Sequence, residues 1–114
     1  MRIGELAEAT GVSVRALRYY EEQGLLDSER SASGQRLYDA HAVERVRWIR
    51  QMFAAGIPSR TIARLRPCAD RNEVTEVEVA IVAAERERIE EQIQNLVGAR
   101  DRLDAMMGVA DCQN

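Results

Sequence analysis

Residues 3–22 read IGELAEATGVSVRALRYYEE, and the spacing inside this stretch decides the fold. Ile3, Leu6 and Ala7 recur at helical intervals until Thr10 and Gly11 interrupt them. Ser13 is an N-cap for a second helix over Val14 to Gln23, with Leu17 turned inward and Arg15, Arg18 and Tyr19 on other faces. Gly24 ends it as a left-handed residue. A helix-turn-helix unit needs a small residue where its helices cross, a glycine in the turn and one apolar anchor on the second helix. Ala7, Gly11 and Leu17 meet those demands, supported by Leu6, Val12 and Val14. A plain helical hairpin also fits, and it would leave Arg15, Arg18 and Tyr19 as solvated surface.

Working outward, Leu25 and Leu26 precede a polar stretch from Asp27 to Gly34, and Gln35-Arg36-Leu37-Tyr38 then alternates as a strand does. The pattern predicts a two-stranded ribbon with Ser31-Ala32-Ser33-Gly34 at its tip, Arg36 and Tyr38 pointing opposite to Leu37. Such a wing lets a side chain grip the backbone beside a groove that a helix occupies. Asp39 is the expected cap of a third helix carrying a Val43, Val46, Ile49, Phe53 stripe, with Trp48 and Met52 at its margins, Trp48 read as core rather than as a ligand platform, and Gly56 at its close. Pro58 or Ser59 opens a fourth helix with Ile62 and Leu65 inward and Arg60, Arg64 and Arg66 outside. Of these arginines Arg60, near the helix N-terminus, is the candidate phosphate contact. His41 reads as a surface residue.

The chain beyond has another period. Val82, Ile89, Leu96 and Leu103 recur every seven residues, interleaved with Val79, Arg86, Ile93, Arg100 and Met107. A helix over 73–108 would span roughly 54 Å, more than the small head can cover, so the seam is expected to pair with a second copy. Arg86 and Arg100 on the seam have Glu85, Glu87, Glu90 and Glu91 as partner carboxylates and would fix register at some cost in stability. The competing arrangement folds the helix back on its own head. Pro67 marks the expected seam between 1–70 and 71–108, with 109–114 as a short tail.

The 114 residues are 46% hydrophobic and 31% charged, as in one ordinary globular domain. The net charge of −3 conceals a division. Residues 1–66 hold 11 Arg against 8 acids, and residues 67–114 hold 5 Arg against 11 acids, so only the head suits a polyanion. All the basic residues are arginine, which fits a GC-rich genome as well as it fits the better planar donor to phosphate and guanine. No apolar run is long enough for an export signal or a membrane span, which leads to the expectation of a cytoplasmic protein with no membrane partner. Cys68 and Cys112 form no C-x-x-C pair. No nucleophile and base pair, carboxylate dyad or phosphate-cradling glycine loop indicates an enzyme.

Together, Ile3 to Ala7, Gly11 to Glu21, Gly24-Leu25-Leu26 and Arg36-Leu37-Tyr38 resemble the DNA-binding domain of the MerR family of bacterial transcription regulators. Val43 to Phe53, Gly56-Ile57-Pro58 and Ile62 are similar to that family's third and fourth helices, and the heptad segment resembles its dimerisation helix. The resemblance implies a mostly α winged helix-turn-helix domain with a small two-stranded wing, followed by a long antiparallel coiled-coil helix. It also implies DNA contacts from Ser13, Arg15, Arg18, Tyr19, Tyr20, Arg36 and Tyr38, and dimerisation through Val82, Ile89, Ile93, Leu96, Leu103 and Met107. Members of the family bind a pseudo-palindromic promoter spacer as homodimers and distort it in response to an effector, which aligns the promoter for RNA polymerase.

The effector is not legible. Metal sensors of the family carry a cysteine near the start of the dimerisation helix or a pair at its end, and here Val74 and a lone Cys112 stand instead, so no metal is expected. Iron–sulfur members have four clustered cysteines and drug-sensing members a large extra domain, so no cofactor is expected. Cys68 is the candidate thiol sensor, set against a reading as buried filler behind Pro67. Cys112 reads as a tail residue. The function class kept beside the regulator is a coiled-coil adaptor that binds another protein rather than DNA.

Overall fold

In a computed structural model that describes residues 1–71 and 73–112, with side chains as far as Gly108, the chain forms five helices and one small ribbon. These are α1 (Ile3–Thr10), α2 (Val14–Glu22), β1 (Glu29–Arg30), β2 (Arg36–Leu37), α3 (Ala42–Ala54), α4 (Ser59–Arg71) and α5 (Glu76–Cys112). The backbone separates into two compact units, Met1–Glu78 and Val79–Asn114.

The expected turn between α1 and α2 is built as its residues require. Gly11 takes φ +72°, a conformation that a Cβ would strain, and its N–H donates to the Ala7 carbonyl at 2.9 Å. Ser13 Oγ accepts the Ala16 N–H at 3.1 Å and so satisfies one orphan donor of α2. At the other end of α2, Gly24 at φ +74° lets the Leu25 N–H reach back to the Tyr20 carbonyl at 2.9 Å. The chain thereby reverses with Leu25 fully buried. The same closure recurs after α3, where the Ile57 N–H donates to the Met52 carbonyl at 3.1 Å and Ile57 enters the core.

The core joins Leu6, Val12, Leu17, Leu25, Val46, Ile49 and Ile62, one or two from each of α1 to α4 and the turns between them. Val43, Trp48, Met52 and Phe53 pack against it from α3, as the stripe predicts. The two strands pair antiparallel with Glu29 opposite Leu37 and Arg30 opposite Arg36. The tip is a hydrogen-bonded turn, with the Gly34 N–H on the Ser31 carbonyl at 2.9 Å and the Ser31 N–H on the Gln35 carbonyl at 2.8 Å. Strands this short cannot hold themselves. The end of β2 is anchored by Met1, whose amino group donates to the Tyr38 carbonyl and whose carbonyl accepts the Tyr38 N–H, both at 2.7 Å.

Three expectations are corrected. Asp39 does not cap α3: its carboxylate accepts the His41 N–H at 2.9 Å in a turn one step earlier, and His41 occupies the cap position without a side-chain bond. Pro67 is not a seam but lies inside α4, which continues to Arg71. The lost N–H of Pro67 is one backbone bond of a helix held on both sides, by buried Ile62 and Leu65 before it and by the Asp70–Arg45 ion pair after it. Arg66, expected outside, lies against the head with its guanidinium on the Gly24 carbonyl at 2.9 Å and on both oxygens of Asp27.

In the second unit the helix continues as far as Cys112, and the reading of the Cys112 side chain lies outside the described residues. Glu76 to Cys112 comprises 37 residues, roughly 56 Å of helix. Val79, Val82, Ile93, Leu96, Leu103, Met106 and Met107 are exposed along it, Leu96 to 70%.

Candidate nucleic-acid interface

The sequence of α2 divides its faces. Leu17 and Tyr20 are buried, whereas Ser13, Arg15, Arg18 and Tyr19 are exposed. Tyr19 is 44% exposed and tilts toward Phe53, with ring centres 6.4 Å apart. Tyr20 is expected beside it on the DNA face, yet it is a core residue stacked on Phe53 at 5.6 Å. Burial raises its pKa, and the charge of Arg50 opposes that shift.

The wing docks on the last turn of α2 through one carboxylate. Glu21 receives the Tyr38 hydroxyl on one oxygen, and Arg36 Nε lies 3.4 Å from the other. Tyr38 is thus a second expected contact that the structure buries, at 3% exposure. Its phenol is pushed up to about 12, by burial first and then by the hydrogen bond and charge of Glu21, so it stays a neutral donor at physiological pH.

Between the wing and the amino-terminal turn of α1 lies an open cleft of about 530 Å³ lined by Arg2, Ile3, Arg18, Arg30, Gly34, Gln35 and Arg36. It gathers two of the expected site residues, Arg18 and Arg36, with two that the sequence reading missed, Arg2 and Arg30. Arg30 and Arg36 stand directly opposite each other in the ribbon, a like-charged pairing that destabilises a two-stranded sheet by itself. Arg36 is offset by the Glu21 carboxylate and Arg30 donates to the Gly34 carbonyl at 2.8 Å. The expected four-residue tip, Ser31 to Gly34, would set Arg30 opposite Gln35, whereas the observed register leaves Ser31 to Gln35 between the strands and sets Arg30 opposite Arg36. Arg60 is exposed in the first turn of α4, where Ser59 Oγ donates to Gln23 Oε1 at 3.1 Å just beyond α2.

Cys68, the candidate thiol sensor, sits in the last turn of α4 and is half-buried. Its thiol donates to the Glu78 carboxylate, and that bond, with burial, raises the thiol pKa and suppresses the reactive thiolate. Glu78 also receives Arg71 at 2.6 Å and the Thr75 N–H at 3.1 Å, while Thr75 Oγ1 accepts the Glu78 N–H at 3.3 Å. This reciprocal box caps α5, and the hydrogen bonds from Cys68 and Thr75 hold the Glu78 carboxyl down at about 2.

The arrangement is that of a winged helix-turn-helix with a basic cleft beside its second helix. Residues 1–67 match the family model described as MerR HTH family regulatory protein. The chain belongs to the MerR family. Nodulation protein NolA of Bradyrhizobium elkanii is 41% identical to it over 113 residues, 98% of this chain and 49% of that protein. This MerR-family chain therefore spans about half the length of the NolA proteins it matches. The HTH-type transcriptional activator SoxR homolog of Chromobacterium violaceum is 36% identical over 108 residues, 93% of this chain and 73% of that protein. Among solved structures, HiNmlR, a MerR family regulator lacking the sensor domain, bound to promoter DNA, superposes with a TM-score of 0.76 at 21% identity. It covers 94% of this chain and 86% of that one, and the likeness extends to the fold, long helix included.

Proposed function

We propose that this MerR-family chain is a cytoplasmic transcription regulator that binds double-stranded promoter DNA as a homodimer and reshapes it in response to an effector. The observation that carries the reading is the cleft holding Arg2, Arg18, Arg30 and Arg36 beside the exposed face of α2. Ser13, Arg15, Arg18 and Tyr19 are the groove-facing residues in this reading, and Arg2, Arg30, Arg36 and Arg60 grip phosphates. Tyr20 and Tyr38 act indirectly, by fixing α2 and the wing.

The heptad stripe on α5 supports pairing with a second copy: Val82, Leu96 and Leu103 are exposed and Ile89 between them is half-buried, and apolar residues in such a stripe gain most by burying against each other. A twofold dimer presents two α2 helices to half-sites separated by whole turns of DNA, about 34 Å each. Distorting a site of such length costs on the order of 1 to 6 kcal/mol, within reach of the differential binding of one small effector. RNA polymerase enters this reading only through the promoter whose shape the dimer changes. A gel-shift titration with promoter DNA tests it. Binding at low salt that weakens steeply as salt rises is the expected result, and no binding, or binding indifferent to salt, overturns it.

A further inference from the structure

We propose that the groove between α3 and the carboxyl-terminal half of α4 binds a small organic cation with a flat apolar body, an amidinium, guanidinium or quaternary ammonium compound. The groove is open to solvent on one side and offers about 650 Å³. Trp48 forms one wall, with Asp39, Glu44, Arg45 and Asp70 around it.

A tethered cation already occupies this place. The Arg45 guanidinium lies 5.5 Å from the centre of the Trp48 ring and pairs with Asp70. An aromatic face and a carboxylate converging on one guanidinium are the two elements that recognise a free organic cation. The charges on the wall exclude the opposite ligand. Both guanidiniums in the groove, Arg45 and Arg66, are neutralised by Asp70 and Asp27. Each acid is the outer member of its pair: side-chain exposure is 16% for Arg45 against 51% for Asp70, and 21% for Arg66 against 78% for Asp27. Glu44 and Asp39 add two further carboxylates, neither of them in an ion pair among the described residues, so the mouth is negative.

A ligand that displaces Arg45 from Trp48 takes over Asp70. That residue immediately precedes Arg71, which bridges to the Glu78 that caps α5. The groove thereby supplies the effector chemistry that the regulator reading calls for. Its regulatory consequence rests on that reading, but the binding does not.

Trp48 is the single tryptophan, so its emission reports occupancy directly in the full chain without DNA. Benzamidine is titrated, with phenylacetate as the anion of similar body. The expected result is a saturable change in Trp48 emission with benzamidine and none with phenylacetate. Glu44→Gln combined with Asp39→Asn should weaken binding roughly fivefold or more. Both positions are exposed, and an amide oxygen at 39 still accepts the His41 N–H, so the variant folds. Arg45→Met should tighten binding, because the tethered competitor is gone. No saturable change, an equal response to phenylacetate, or unchanged affinity in the double variant overturns the proposal. Because DNA is absent from the titration, a failure of DNA binding leaves its result standing.

Discussion

The Tyr38 hydroxyl donates a hydrogen bond to the Glu21 carboxylate and so joins the end of the wing to the last turn of α2. Arg36 lies against the second oxygen of the same carboxylate at 3.4 Å, and Met1 holds Tyr38 from its backbone. The helix and the ribbon are thus fastened to each other independently of any ligand. Two reading elements fixed at one separation lose little freedom on meeting DNA.

Tyr38→Phe removes one hydrogen bond and keeps the ring, so it should cost about 1 kcal/mol of stability. Tyr38→Ala also empties a core position that is only 3% exposed, for a loss of about 3 to 5 kcal/mol. Urea denaturation should separate the two. In this scheme the alanine variant loses DNA binding because the wing and core come apart, and equal midpoints for the two variants would show that the ring contributes no packing.

The alkaline limit follows from the same bond. The folded-state pKa of Tyr38, about 12, lies above the ordinary tyrosine value of 10.0. A raised pKa means that the proton favours the folded state. The stabilisation is complete below about pH 10 and fades as pH climbs toward about 12. Thermal melts should therefore be flat in this respect up to about pH 10 and fall above it in the native chain, more steeply than in Tyr38→Phe.

Arg30→Ala and Arg2→Ala test the cleft. Each should weaken binding to all DNA sequences alike and lower the slope of log K against log salt by about one, since each removes one phosphate contact. Arg18→Ala, on the exposed face of α2, should weaken binding without unfolding the chain. Unchanged salt slopes for Arg2 and Arg30 would remove both from the interface.

Leu96→Asp places a charge on a heptad position that is 70% exposed in the single chain. The fold of the head should be untouched, with the chain monomeric at micromolar concentration by sedimentation and operator affinity sharply reduced. A variant still dimeric would place the pairing surface away from Leu96.

Much of this was legible where the physics is local. Gly11, Ser13 and Gly24 announce turns and caps from their own backbone preferences, and each does what its residue type demands. The long helix α5 was legible for the same reason, from a period along one helix. The partner of Arg66 was not, because Asp27 lies 39 residues away and only the packed fold brings the two together. Pro67 misled because a local rule against helix was outweighed by packing on both sides. Tyr20 and Tyr38 carry an apolar ring and a polar tip, and sequence alone leaves open which end the fold will use. Arg2 escaped notice as a residue before the first helix, although the fold sets it in the same cleft as Arg18.

Hydroxyl-radical footprinting of the purified chain on its promoter is the most direct test of DNA reading by a twofold dimer. The expected pattern is two equivalent protected segments on one face of the duplex, separated by whole helical turns, both lost together in Leu96→Asp. A single protected segment that persists in that variant, or no protection at low salt, would contradict the paired arrangement of α2 and wing.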